Sequence, residues 1–236
     1  MATAKLMGPP SKSLFKMVPR RMILGTDDMR DVYVAYKRQW NRAALERRER
    51  MAYECQQNLD FAIPHDLGVK TLPPGTLPEA DEVSRVSADI IANASPEQLI
   101  GKRKAQLVQG FVDTAQLELD SPFLRFGLHP NVLGAISAYL GAVPVLAQVD
   151  VWYSIHRAGQ FENSQLFHCD WTATSQVKVF VFGNDIAEVS GPMVLLGAGT
   201  SKELRDKLNY NFDDGYRVED ETVEQLVGNK DQHALV

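Results

Sequence analysis

The hydrophobic pattern of the chain changes its period at Pro144, and this change constrains the fold more than any other feature of the sequence. Before Pro144, apolar residues recur at the three- and four-residue spacing of amphipathic helices. After it, the residues from Val145 to Tyr153 alternate in character, which predicts a β-strand. The run Gln176–Phe182 predicts the strongest strand of the chain, and Pro192–Leu196 predicts another. We therefore predict a mixed α+β chain with a helical N-terminal half and a β-rich C-terminal half.

Helix signals divide the N-terminal half into two parts. Residues 1–60 are predicted to form an arm and one long helix, because no glycine or proline interrupts the chain from Asp28 to Asn58. Residues 61–143 begin with a proline-rich loop and continue as a helical buttress. The remaining residues, 144–236, are predicted to form the β-rich core. The predicted helices of the buttress cover residues 81–93, 95–107 and 131–140.

Charge and composition argue against several classes of partner. Residues 1–50 carry 12 Lys and Arg against 5 Asp and Glu, whereas residues 51–236 carry 13 against 25, which gives a net charge of -5. Acidic residues interrupt the basic segment, so we interpret Arg42, Arg47 and Arg48 as an exposed helix face that packs on the acidic body. Nucleic-acid binding through these arginines is the alternative that we favour less.

Targeting signals and cysteines point to the interior of the cell. The sequence has no apolar stretch of the roughly 20 residues that a membrane helix needs, and its first residues contain no secretory signal. Its two cysteines are too few for a disulfide framework. We therefore expect a cytoplasmic protein with no membrane partner.

The segment Gln165–Trp171, which reads Gln-Leu-Phe-His-Cys-Asp-Trp, carries the most informative pair of residues. His168 and Asp170 lie at the exit of a short predicted strand, where side chains two residues apart project to the same side. An imidazole nitrogen and a carboxylate oxygen can therefore converge on one cation. Two such ligands and one distant histidine make the facial triad of non-haem Fe(II) oxygenases, which leaves positions open for a co-substrate and O2. We predict His168 and Asp170 as metal ligands and catalytic residues.

Further short motifs follow this segment in a fixed order: Thr174–Val181, Asn184-Asp185-Ile186, Glu188 and Ser190-Gly191-Pro192. Together, over about residues 145–201, they resemble the phytanoyl-CoA dioxygenase-like group of Fe(II)/2-oxoglutarate-dependent oxygenases. The resemblance implies a double-stranded β-helix, a cupin-like jelly-roll, with helices that buttress one sheet. It also implies Fe(II) and 2-oxoglutarate as cofactors, with His168 and Asp170 as two of three iron ligands. The implied reaction is a hydroxylase-type oxidation of a small or lipid-like organic substrate by O2.

The C-terminal end of the chain departs from this resemblance. The family completes its iron site with a later histidine and holds the distal carboxylate of 2-oxoglutarate with an arginine beyond it. After Asp170 the only histidine is His233, no arginine follows it, and residues 228–232 do not match the family's glycine and apolar strand. We therefore expect a C-terminally truncated chain in which Ala234–Val236 approaches a missing strand. In the alternative, His233 is the third ligand, and the tail folds back onto the strand of His168.

Three further residues are candidates for contacts to 2-oxoglutarate. In the family, the strand before the iron segment often supplies a polar contact to this co-substrate, and here that strand carries Gln148 and Tyr153. The alternative is an ordinary strand with a buried tyrosine and a surface glutamine. Lys178 alternates with Val177 and Val179, and its ammonium either reaches the co-substrate carboxylate or faces solvent.

Two functions follow from this sequence. The first is an Fe(II)/2-oxoglutarate-dependent dioxygenase with a small-molecule substrate, which the loops of such a fold select rather than the metal motif. The second is a non-catalytic jelly-roll binding protein or pseudoenzyme that lacks the third metal ligand. In either case an incomplete double-stranded β-helix over residues 144–236 exposes sheet edges, so we expect a homo-oligomer, aggregation, or stabilisation by the helical arm.

Overall fold

The computed structural model describes residues 27–100, 108–154, 165–170, 175–187, 191–210, 216–228 and 232–235. None of the helices in these ranges is long and apolar enough to cross a membrane. The helices are α1 (Asp27–Trp40), α2 (Arg42–Cys55), α3 (Pro78–Ala92), α4 (Pro96–Ile100), α5 (Pro122–Gly127), α6 (Pro130–Leu140), α7 (Ala198–Leu208) and α8 (Asp220–Val227). The strands are β1 (Val108–Gly110), β2 (Trp152–Ser154), β3 (Met193–Leu196) and β4 (Gln232–Leu235).

The long helix that the sequence predicts near the N-terminus is divided into α1 and α2 at Asn41. The main-chain N–H of Asn41 keeps the helical bond to the Lys37 carbonyl, but its side-chain amide donates to the same oxygen at 3.0 Å, and this competition favours a helix break. Helix α2 then packs closely against α6. Gly134 of α6 permits this approach, because a Cβ atom there would overlap the Cys55 carbonyl oxygen and the Leu59 side chain.

Helices α3, α5 and α6 enclose the first of two buried apolar clusters. Each of them begins with a proline in its first turn, which is Pro78, Pro122 or Pro130, and α6 ends at Gly141 with a φ of 70°. These are local signals, which is why the predicted helices 81–93 and 131–140 agree with α3 and α6. The predicted helix 95–107 begins as α4, and its second half lies outside the described residues. The buried members of the cluster are Leu77, Val83, Phe126 and Val132.

Strand β2 pairs antiparallel with β1, with Gly110 opposite Trp152. Asp150 fixes this pair through its carboxylate. One oxygen accepts the main-chain N–H groups of Phe111 and Val112 at 3.1 Å, and the other accepts the Trp152 indole N–H at 2.8 Å. The Asp150 side chain therefore stabilises the pairing of β1 with β2.

Two predicted strands differ from the structure. Of the predicted strand 145–153, only Trp152 and Tyr153 lie in a strand, β2, and residues 176–182 form no strand. Alternating side chains favour an extended chain, but a strand also requires a hydrogen-bonded neighbour. Within the described part of the chain, Gln176–Phe182 instead lies against the helical region, where Val181 packs on the first cluster and the Ser84 hydroxyl donates to the Phe182 carbonyl.

Strands β3 and β4 pair antiparallel, with Leu195 opposite His233. We expected Ala234–Val236 only to approach a missing strand, whereas residues 232–235 form β4; that the chain is truncated stays a prediction. Short β-prone sequence forms a strand here because β3 supplies the main-chain partners. The described strands make two separate antiparallel pairs, and the double-stranded β-helix remains a prediction.

A second buried cluster lies where β3, α7 and α8 meet. Its buried members are Leu204, Tyr210, Val218 and Val223. Leu196 of β3 and Phe167 pack against it. This cluster packs the segment that carries His168 against α7 and α8, and so holds that segment in place.

Candidate metal centre

The main chain around His168 is held on both sides by distant residues. Phe167 and Val218 exchange N–H···O=C hydrogen bonds of 3.1 and 2.9 Å, which form an isolated antiparallel bridge. On the other side, the Cys169 N–H donates to the Tyr210 hydroxyl at 3.0 Å. These bonds hold the main chain at Phe167 and Cys169. Of the described residues of the predicted short strand, Phe167 alone is paired, so the strand is reduced to a single bridge before His168 and Asp170.

The His168 ring is oriented by its own segment. Its Nδ1 lies 2.7 Å from the Leu166 carbonyl oxygen, a distance at which Nδ1–H donates to that carbonyl. A neutral imidazole with a proton on Nδ1 has a lone pair on Nε2. Metal-binding histidines in proteins commonly make this same contact with a main-chain carbonyl. A cation would therefore bind His168 at Nε2, in place of the proton through which the ring contacts Asp170 in the metal-free chain.

Asp170 lies beside this nitrogen and carries a negative charge. Its Oδ1 is 3.5 Å from His168 Nε2, and its Oδ2 contacts the Lys178 ammonium. The His168 ring and then the Lys178 ammonium hold the pKa of Asp170 well below its usual range, against the opposing effect of burial. The carboxylate is thus ionised at neutral pH, which is the form that binds metals.

A cavity of about 200 Å³ opens beside His168. Apolar side chains of β3, of α7 and of the second buried cluster form much of its wall, and His168, Ser201, Arg205 and Tyr210 add polar groups. A cavity with this mixed lining suits part of a small organic molecule that carries a polar or anionic group. The lining residues are Phe167, His168, Cys169, Val194, Leu195, Leu196, Ser201, Leu204, Arg205, Tyr210 and Val218.

The donor atoms of His168 and Asp170 fit two positions of an iron site. A neutral imidazole nitrogen and a carboxylate oxygen are the ligand types of the facial triad. Ligand bonds are about 2 Å long, so two neighbouring ligands of a facial site lie about 3 Å apart. His168 Nε2 and Asp170 Oδ1 are 3.5 Å apart, so binding one cation requires the two side chains to approach by about 0.5 Å.

A third protein ligand is not found among the described side chains, where no group of three His, Cys, Asp or Glu residues could hold a metal ion. His233 lies on β4 opposite Leu195, and Leu195 lines the cavity that His168 also lines. The side chain of His233 is outside the described part of the structure. The fold-back alternative therefore stays a prediction.

Of the three residues predicted to contact 2-oxoglutarate, the structure brings Lys178 to the candidate centre. Gln148 is exposed on the segment before β2, and Tyr153 is half-buried within β2, opposite Gln109. No hydrogen bond or ion pair among the described residues connects Gln148 or Tyr153 to the centre.

Tyr210 was not predicted as part of the site, because it is 41 residues from Cys169 in sequence and belongs to no motif. Burial raises the pKa of Tyr210, so its hydroxyl stays protonated at neutral pH.

A larger cavity of about 480 Å³ lies between the first turn of α3 and the start of α6. Arg125 donates to both carboxylate oxygens of Glu82 at 2.6 and 2.7 Å, which stabilises the contact between α3 and α5. His129 Nε2 lies 3.7 Å from Glu79 Oε2, which is buried without a hydrogen-bond partner. His129 Nδ1 accepts the Asn131 N–H, so a neutral His129 ring carries its proton on Nε2 and offers no lone pair there, unlike His168.

Comparison with known proteins adds no relative to this picture. No protein-family model, curated protein or solved structure matches the chain. The resemblance to a family therefore stays a prediction from the motifs of the sequence.

Proposed function

We propose that this protein is an Fe(II)/2-oxoglutarate-dependent dioxygenase that oxidises a small or lipid-like organic substrate. The observation that carries the proposal is the 3.5 Å approach of His168 Nε2 to Asp170 Oδ1, next to a cavity that His168 lines. A chance His-x-Asp pair has no reason to combine a suitable donor separation, an oriented imidazole and an adjoining cavity.

Each residue of the centre has a distinct part in this proposal. His168 Nε2 and Asp170 Oδ1 would hold the iron, and the Leu166 carbonyl would keep the imidazole in the tautomer that binds it. When bound, Fe(II) with 2-oxoglutarate and O2 supplies an oxidation that converts the co-substrate to succinate and CO2. Apolar side chains such as Val194 and Leu204 would exclude water from the substrate and orient it. The third ligand would be His233 or another group outside the described side chains.

The co-substrate contacts predicted from the sequence remain part of the proposal. Gln148 and Tyr153 are candidates on the segment that precedes the iron ligands. Lys178 is a candidate whose ammonium already lies in the centre, although it must leave Asp170 before it can reach a carboxylate of 2-oxoglutarate. We further propose that the protein acts in the cytoplasm, without nucleic acid as a partner, and that it forms a homo-oligomer.

Turnover of the co-substrate tests the proposal. The purified chain is incubated with Fe(II), 2-oxoglutarate, ascorbate and O2, and succinate is measured by NMR. We expect succinate above the protein-free background, and we expect it to disappear when Fe(II) is omitted or O2 is removed.

A non-catalytic jelly-roll binding protein or pseudoenzyme is the second candidate. The contact between Lys178 and Asp170 favours it, because an ammonium on a ligand carboxylate resembles a substitute for a metal ion. The absence of a third ligand among the described side chains favours it as well. This candidate predicts no succinate under any condition and no binding of Fe(II) to His168 and Asp170.

A further inference from the structure

Lys178 places a positive charge on the carboxylate that the proposed metal needs. Its ammonium contacts Asp170 Oδ2, while Asp170 Oδ1 faces His168 Nε2. A divalent cation at Oδ1 and an ammonium at Oδ2 would be only a few ångströms apart, and like charges at that distance repel strongly in a partly buried site. The two cations therefore compete for one carboxylate.

The lysine can release Asp170 without disturbing the fold. Its side chain is 43% exposed, and its flexible stem allows the ammonium to reach water. The described residues 175–187, which carry it, belong to no helix or strand. By contrast, the His168 segment is held by main-chain bonds to Val218 and Tyr210. The movable partner of the pair is thus the lysine.

We propose that Lys178 is an internal counter-cation that occupies Asp170 in the metal-free chain and that a metal ion must displace. This inference rests on the proposed function, because it requires a metal site at His168 and Asp170. Lys178 thereby lowers the affinity of the site for a metal ion, and metal binding releases the Lys178 ammonium from the Asp170 carboxylate.

Titration of the full chain with Co(II), followed by calorimetry, tests this role. Lys178→Met keeps the length of the side chain and removes its charge, and Lys178→Gln is a second neutral variant. Lys202→Met is the matched control, because Lys202 makes a comparable contact of 2.7 Å with Asp206 on the exposed face of α7. We expect the Co(II) dissociation constant to fall about tenfold in both Lys178 variants, as removal of a nearby like charge predicts, and to stay unchanged in the control.

The outcomes separate this inference from the proposed function. Equal or weaker Co(II) binding in the Lys178 variants, with binding by the natural chain, overturns the counter-cation role and leaves the metal site in place. No binding by the natural chain or by either variant overturns both. Binding by the variants alone supports the inference in its strongest form. The rise in thermal midpoint that Co(II) causes is a second measure of affinity, and it should be larger in the Lys178 variants than in the natural chain.

Discussion

Replacing His168 by alanine is expected to weaken Fe(II) binding at least about a hundredfold and to reduce succinate formation to background. The variant removes one of the two described donors and leaves the Asp170 carboxylate with Lys178 as its neighbour. A carboxylate alone cannot hold a ferrous ion in a fixed geometry, and loss of even an outer partner of a metal ligand costs about 10–100-fold in affinity. Anaerobic calorimetry and the succinate assay measure the two effects.

His65→Ala is the control for this variant. His65 is an exposed histidine whose ring stacks on Tyr139, with ring centroids 4.8 Å apart. Its loss should leave Fe(II) affinity and turnover close to those of the natural chain. Undiminished Fe(II) binding and turnover in His168→Ala would remove His168 from the site.

Replacing Gly134 by alanine is expected to lower the free energy of unfolding by about 2–3 kcal/mol, in the range of overpacked cores. The added methyl group would overlap the Cys55 carbonyl oxygen and the Leu59 side chain, where α2 and α6 meet. Main-chain atoms of a packed helix cannot move aside as the end of a flexible side chain can. Urea unfolding followed by circular dichroism measures the change.

Gly199→Ala provides the matched control, since Gly199 is also in a helix but has open space around its Cβ position. There alanine should be neutral or should stabilise the chain by up to about 1 kcal/mol, because it favours the helical main chain. Equal effects of the two substitutions would show that α2 and α6 do not pack as closely as described.

The parts of the fold that were predictable depend on local signals. Prolines at the first turns of α3 and α6 and the glycine after α6 mark helix ends in the sequence itself. The joint placement of His168 and Asp170 was predictable for the same reason, because residues two apart on an extended chain share a side. Their 3.5 Å separation is consistent with that geometry.

The parts that were not predictable depend on distant partners. The run Gln176–Phe182 has the composition of a strand, but the described part of the chain offers it no main-chain partner and it packs on α3 instead. Residues 232–235 show a weaker pattern and are a strand because β3 lies beside them. The alternation of Lys178 with Val177 and Val179 shows only that the lysine points away from the two valines. Its contact with Asp170 depends on the tertiary fold, which the local sequence does not encode.

An anaerobic Fe(II) titration of the natural chain and of Asp170→Asn tests metal binding by His168 and Asp170 most directly. The asparagine keeps the shape of Asp170 and removes the negative charge that the metal requires. We expect one Fe(II) bound per natural chain and at least about tenfold weaker binding by the variant, as expected for the loss of a charged ligand. Equal Fe(II) affinity in the two proteins, or no Fe(II) bound by the natural chain, would contradict a metal centre at His168 and Asp170.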